Sequence, residues 1–237
     1  MPVHSDHVLA LLIVFVLPLR AWWGMRTLNA ASPERVPAVR ARLWWRAIVM
    51  QWALIGMLAL VWAQEDRSPV SLALVLRPNW GLAGVLIGLA TIVSLVMRQR
   101  ARVAQEPELQ RSVREQLASV RRLMPHTTGE FRVFAALAVT AGICEELLFR
   151  GFLTWYLAHH LGLPLAAAAQ VVIFGVAHLY QGFGGIVKTG FAGAFFTAVV
   201  WISGSLVPAM LIHALMDLHA GDLARRVLPQ DTGITHA

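Results

Sequence analysis

The chain has 237 residues, of which 57% are hydrophobic and only 14% are charged, and its mean hydropathy is +0.62. Because a soluble domain of this length does not need so much apolar surface, the composition predicts an integral membrane protein. The net charge of +7 is explained by basic loops that orient a membrane protein, so we expect no nucleic-acid partner. The single cysteine, Cys144, excludes an intrachain disulfide and a cysteine-based metal cluster.

Long uncharged runs alternate with short charged segments, as in helical spans joined by loops. We therefore predict an all-α fold, a polytopic transmembrane helical bundle of about seven spans. The first span lacks the basic start and the cleavage site of a signal peptide, so we expect it to be retained. The predicted spans cover residues 7–23, 44–63, 80–97, 131–158, 164–181, 187–203 and 205–220.

The sizeable polar segment 98–130 lies between the third and fourth predicted spans. Its apolar residues recur at helical spacing with arginines between them, which predicts an amphipathic helix on the cytoplasmic leaflet or on the bundle. This helix would serve as a connector or, alternatively, as a lid that guides substrate.

The arginines predict the orientation. They are concentrated in the first and third loops, which the positive-inside rule places in the cytoplasm. The N-terminus is then outside, and with seven spans the C-terminus is cytoplasmic. The abundance of Ala and Arg beside a single Lys is typical of a GC-rich bacterial genome, so we expect the bacterial inner membrane.

Two adjacent glutamates, Glu145 and Glu146, interrupt the fourth predicted span. Carboxylates in hydrocarbon cost several kcal/mol, roughly 3 on insertion scales, so they need a partner or a function. Glu146 and Arg150 are four residues apart and can pair on one helix face. Glu145 lies about 100° away around the helix and has no partner on it.

Two further polar patterns occur in the later spans. Phe174 and His178 share one face of the fifth span, and His213 and Asp217 share one face of the seventh. If these faces point inward, Glu145, His178, His213 and Asp217 surround one wet cavity. The competing interpretation is that each polar residue is only a structural hydrogen-bonding partner between helices.

Together these patterns resemble the signature of the CPBP family, the CAAX proteases and bacteriocin-processing enzymes, which is similar to the type II CAAX prenyl endopeptidase of eukaryotes. That signature is EExxxR, FxxxH and HxxxN or HxxxD on successive membrane helices. The resemblance covers about residues 130–220. The matching residues are Glu145-Glu146-x-x-x-Arg150, Phe174-x-x-x-His178 and His213-x-x-x-Asp217.

The resemblance implies an intramembrane endopeptidase that acts on membrane-associated or lipidated proteins or peptides. In that picture Glu145 is the general base that activates water, and His178 holds the same water. His213 and Asp217 line the oxyanion hole, while Glu146, Arg150 and Phe174 have structural roles. Asp217 stands where prenyl endopeptidases have asparagine, and an ionised aspartate would repel an oxyanion. It would therefore act in its protonated form or by orienting His213.

The resemblance also leaves a zinc-dependent protease open as an alternative, since glutamates and histidines on three helices could ligate zinc. The HExxH pattern of zinc proteases is absent, and we favour a mechanism without metal or other cofactor. A non-catalytic membrane scaffold or immunity protein and a small transporter are further alternatives. The sequence predicts neither the oligomeric state nor the substrate.

These inferences divide the chain into three parts. Residues 1–125 hold the N-terminal spans and the amphipathic loop, residues 126–222 form the catalytic helical core, and residues 223–237 form a short cytoplasmic tail.

Overall fold

The computed structural model describes residues 1–229 and shows an all-helical chain, without a strand among those residues. Residues 230–237 of the predicted tail, with His236, lie outside the described residues. The helices are α1 (His4–Leu11), α2 (Leu17–Ala30), α3 (Val36–Gln64), α4 (Trp80–Val103), α5 (Pro107–Gln116), α6 (Thr128–Glu145), α7 (Thr154–Leu161), α8 (Leu163–Ala177), α9 (Phe183–Ser203) and α10 (Leu206–Val227).

Two π-helical segments lengthen the helices. Leu12–Val16 joins α1 to α2, and Glu146–Leu153 joins α6 to α7, so that each pair forms one continuous helix. π-helical turns are rare in proteins, but those that occur are often found at functional sites. The second of these segments begins at one of the two adjacent glutamates.

The helical membrane protein predicted from composition is confirmed, but the count of seven spans is not. Four helical stretches are long and apolar enough to cross a membrane: His4–Ala30, Pro33–Gln64, Trp80–Val103 and Phe183–Ser203. Helix α8 is shorter, with 15 residues. The continuous helix from α6 to α7, and α10, carry the charged and histidine side chains that lower their hydropathy.

Local sequence signals set the ends of the helices. Asn79, Thr127 and Ser205 are the N-caps of α4, α6 and α10, and the side chain of each accepts a hydrogen bond from a backbone N–H in the first turn. Gly162 and Gly182 lie in the turns before α8 and α9 with φ of 75° and 83°. Residues that carry a side chain rarely adopt such angles. The later helices are thereby joined by tight turns that bring them side by side.

Helix α6 lies in the middle of the bundle, in contact with α10 on one side and α3 on the other. Helices α6 and α10 approach closely at Gly142, where an added Cβ would lie 2.7 Å from the backbone nitrogen of Ala214. A small residue lets two membrane helices approach to backbone contact. This contact fixes the distance between the helix that carries the glutamates and the helix that carries His213.

The amphipathic segment packs on the bundle, which is one of the two placements that its sequence allowed. Val113 of α5 is buried with Val103 of α4 and with Leu223 and Val227 at the end of α10. The end of α10 is therefore covered by the segment 98–130.

We expect Gly142→Ala to lower the unfolding temperature of the purified protein by several degrees, because the added methyl group overpacks the α6–α10 contact by about 1–3 kcal/mol. Thermal unfolding in detergent measures this. Gly88→Ala on α4 is the matched control, since a Cβ there meets nothing within 4 Å. Equal shifts in the two variants would contradict the close approach.

Candidate active site

The two adjacent glutamates have different surroundings. They lie at the junction of α6 and the π-helical segment Glu146–Leu153. The Glu146 side chain is fully buried, whereas Glu145 is half-buried and lines a cavity. Consecutive residues on a helix point about 100° apart, which separates the two carboxylates.

The buried Glu146 carboxylate joins two elements of the bundle. Its Oε1 accepts a hydrogen bond from Nη1 of Arg150 at 3.0 Å and another from Nδ1 of His213 at 2.8 Å. The predicted pairing with Arg150 is present in the structure. The bond from His213 of α10 was not anticipated, because sequence spacing identifies neighbours only within one helix.

Aromatic rings surround the Arg150 guanidinium. Its central carbon lies 3.9 Å from the ring centroid of Phe174 and 5.5 Å from that of Phe196. Such cation–π contacts stabilise a cation that has left water. Nε and Nη2 of Arg150 and Oε2 of Glu146 are buried without a hydrogen-bond partner among residues 1–229. Phe174 thus contacts the ion pair directly.

Glu145 has one hydrogen-bond partner from the N-terminal half of the chain. Nε2 of Gln51, on α3, lies 3.4 Å from Oε1 of Glu145, a long hydrogen bond. Sequence reasoning missed Gln51. The available signal was a polar side chain in an otherwise apolar stretch, and nothing in the sequence shows that this stretch lies against α6.

His178 directly follows α8, and its ring is fixed by a local hydrogen bond. Nδ1 lies 2.9 Å from the carbonyl oxygen of Phe174, one turn earlier. Because a carbonyl oxygen only accepts, Nδ1 must be the donor, and in the neutral ring Nε2 keeps its lone pair. The Phe174 ring lies 4.8 Å from the His178 ring, centroid to centroid.

His213 is held by two groups, the Phe196 ring and the Glu146 carboxylate. Its ring stacks on Phe196, with centroids 4.9 Å apart and an angle of 13° between the planes. Nδ1 is engaged by Glu146, and Nε2 lies 3.7 Å from Oδ2 of Asp217, which is beyond hydrogen-bond distance. The ring is therefore fixed by Glu146 and Phe196, while Asp217 stands as a nearby charge.

A cavity of about 920 Å³ connects these groups. Glu145, His178, His213 and Asp217 all line it, whereas Glu146 and Arg150 lie behind its wall. The cavity continues between α2 and α3, so the N-terminal helices form one of its sides. The arrangement places two carboxylates and two imidazoles in the lining of one largely apolar cavity.

Within residues 1–229, no group of three or more His, Cys, Asp and Glu side chains is arranged to hold a metal ion. Nδ1 of His178 and Nδ1 of His213 are engaged by Phe174 and Glu146, so Nε2 is the nitrogen of each ring that remains for a water or another ligand. A metal-bound histidine makes the same kind of bond through its other ring nitrogen, so these bonds do not distinguish the two mechanisms. The metal-free mechanism stays a prediction.

A comparison with protein families found a match to the part of the chain that carries the three polar patterns. The model described as "Type II CAAX prenyl endopeptidase Rce1-like" matches residues 127–219. This region of the chain is therefore similar to the Rce1-like family. The match spans α6 to most of α10 and includes the three polar patterns. The similarity supports a membrane-embedded protease of the CAAX type in general. Searches of curated proteins and of solved structures found no match.

We expect Arg150→Met to destabilise the protein by about 3–5 kcal/mol, because it leaves the Glu146 carboxylate buried without its cation. Chemical or thermal unfolding in detergent measures this. The matched control is Arg102→Met, which breaks an exposed pair with Glu106 at the same spacing of four residues. We expect no measurable change in the control. A similar loss in both variants would show that burial of the pair is not the cause.

Proposed function

We propose that the protein is an intramembrane endopeptidase in which Glu145 activates the attacking water. The observation that supports this most directly is the difference between the two glutamates. Glu146 is used by Arg150 and His213, whereas Glu145 faces the cavity beside both histidines. A carboxylate in a mostly apolar cavity, within an Rce1-like core, is a suitable general base.

In this proposal Glu145 and His178 hold one water molecule between them. Nδ1 of His178 donates to Phe174, so Nε2 of the neutral ring can accept a hydrogen bond from that water. Glu145 takes the proton as the water oxygen attacks the carbonyl carbon of the peptide. The same carboxyl group then gives the proton to the leaving amine, which balances the hydrolysis.

The developing oxyanion is placed against His213. Because Nδ1 already donates to Glu146, His213 can donate from Nε2 only in its imidazolium form. Asp217, 3.7 Å from Nε2, provides a neighbouring counter-charge for that form, or donates itself when protonated. A fixed donor in a site poor in water stabilises a transition-state charge strongly. Glu146, Arg150 and Phe174 position His213 and the helices around it.

The substrate class follows from the family and from the site. We propose a membrane-associated or lipidated protein or peptide, whose apolar part enters the cavity between α2 and α3. We also propose that all seven predicted segments cross a bacterial inner membrane, with the N-terminus outside and the C-terminus in the cytoplasm. The short or polar helices would then be shielded from lipid by the others.

We expect Glu145→Gln to reduce cleavage by about 10²- to 10⁴-fold while the unfolding temperature stays near that of the wild type. Substrates are found by comparing the peptides released in membranes that carry the wild type or the variant, and the rate is then measured with purified protein. Glu115→Gln, an exposed residue of α5, is the control. Full activity in a folded Glu145→Gln protein refutes the assignment. Loss of wild-type activity with a chelator, restored by zinc, would instead establish the zinc alternative.

Asp217→Asn should keep cleavage within about tenfold of the wild type, because an amide can donate to the oxyanion as an uncharged group. Asp217→Leu, of similar volume but without a donor, should lose about 10²-fold or more. The same peptide-release assay measures both. If Asp217→Leu is as active as Asp217→Asn, the side chain has no part in the reaction.

A further inference from the structure

The cavity has a second polar zone, away from the glutamate and the histidines. Arg20 of α2 and Arg42 and Arg46 of α3 line it, and all three side chains are exposed. They are therefore where the cavity meets the surface of the protein. All three lie outside the region that matches the Rce1-like family, residues 127–219. We refer to them as the arginine rim.

The rim arginines have no partner within the described part of the protein. None of the three forms a hydrogen bond, an ion pair or a cation–π contact with another residue in the described part of the chain. By contrast, Arg40 pairs with Glu130, and Arg26 lies over the ring of Trp22. Three positive charges at the opening of a largely apolar cavity produce a positive potential there, which attracts anions.

The rim stands at a distance from the catalytic groups. Arg46 and Arg42 precede Gln51, the residue bonded to Glu145, by five and nine positions on α3. At 1.5 Å per residue these positions lie about 7.5 and 13.5 Å from Gln51 along the helix axis. The cavity wall between the arginine rim and Gln51 includes Leu43, Ala47 and Met50. A ligand that spans the cavity meets apolar side chains in the middle and positive charge at the surface.

We propose that the arginine rim is an anion-binding site that selects acidic peptide substrates by their carboxylates. Guanidinium groups present forked donors that match a carboxylate. The carboxylate comes from an Asp or Glu side chain or from a chain end, and it anchors the peptide while an apolar segment reaches Glu145. This proposal rests on the proposed protease function for its meaning, but the binding that it describes can be measured without cleavage.

Binding is measured by fluorescence anisotropy with the purified full chain in nanodiscs of neutral phosphatidylcholine. The probes are three rhodamine-labelled, palmitoylated apolar peptides of one length. The first contains Asn and ends in an amide, the second has Asp in place of Asn, and the third keeps Asn and has a free terminal carboxylate. We expect each acidic probe to bind about tenfold more tightly than the neutral one. The acidic probe with the higher affinity shows whether the rim prefers a side-chain carboxylate or a terminal one.

The triple variant Arg20→Gln, Arg42→Gln, Arg46→Gln should bind all three probes equally. The control triple variant Arg26→Gln, Arg35→Gln, Arg98→Gln removes the same charge from exposed arginines that do not line the cavity, and it should keep the preference. Glu145→Gln should keep the preference as well, because it removes the base and not the rim.

Equal binding of the three probes to the wild type overturns the proposal, and so does a preference that survives in the rim variant. Nanodiscs with phosphatidylglycerol test the other source of anions. If this lipid binds through the rim and the acidic probes show no preference, the rim is a lipid site and the peptide proposal is wrong. If the preference is present but wild-type membranes release no Glu145-dependent peptides in the cleavage assay, the protease function is refuted and the anion site stands.

Discussion

The buried Glu146 carboxylate is the interaction on which the arrangement of the core depends. One oxygen accepts from both Arg150 and His213, which lie on different elements of the bundle. A carboxylate that is buried away from water needs hydrogen-bond donors, and the buried guanidinium of Arg150 needs a negative charge beside it. Because Phe174 and Phe196 enclose Arg150, and Phe196 also stacks on His213, α8 and α9 are tied to the same group. Four elements are thus fixed by one charge.

The neighbouring glutamates differ because consecutive residues of a helix point about 100° apart. The π-helical segment also begins at Glu146 and runs to Leu153, so the helix changes its winding where the two residues meet. Glu146 and the other residues of this segment are buried, while Glu145, the last residue of α6, reaches the cavity. The structural carboxylate of Glu146 and the half-buried carboxylate of Glu145 are therefore on adjacent residues, and Glu146 holds His213, which lines the same cavity as Glu145.

Sequence reasoning succeeded where the relevant neighbours are close along one helix. Spacing of four identified the pairing of Glu146 with Arg150, and hydropathy identified a helical membrane protein. It failed for contacts between distant segments. The bond from Gln51 to Glu145 joins residues 94 positions apart, and the bond from His213 to Glu146 joins residues 67 positions apart. Neither spacing nor hydropathy carries that information. The π-helical segment has no reliable sequence signature either, since it arises from packing rather than from local propensity.

The N-terminal half supplies polar side chains to the cavity from outside the family-matched region, residues 127–219. Helix α3 brings Gln51 to Glu145, and α2 and α3 together form the wall of the cavity up to the arginine rim. One part of the cavity is lined by Glu145 and Asp217, and another part is lined by the unpartnered cations of the arginine rim. A neutral apolar ligand would leave those cations uncompensated, whereas a ligand with a terminal or side-chain carboxylate would meet complementary charge there. Under the two proposals, catalysis lies in the family-matched core and substrate selection lies in the helices outside it.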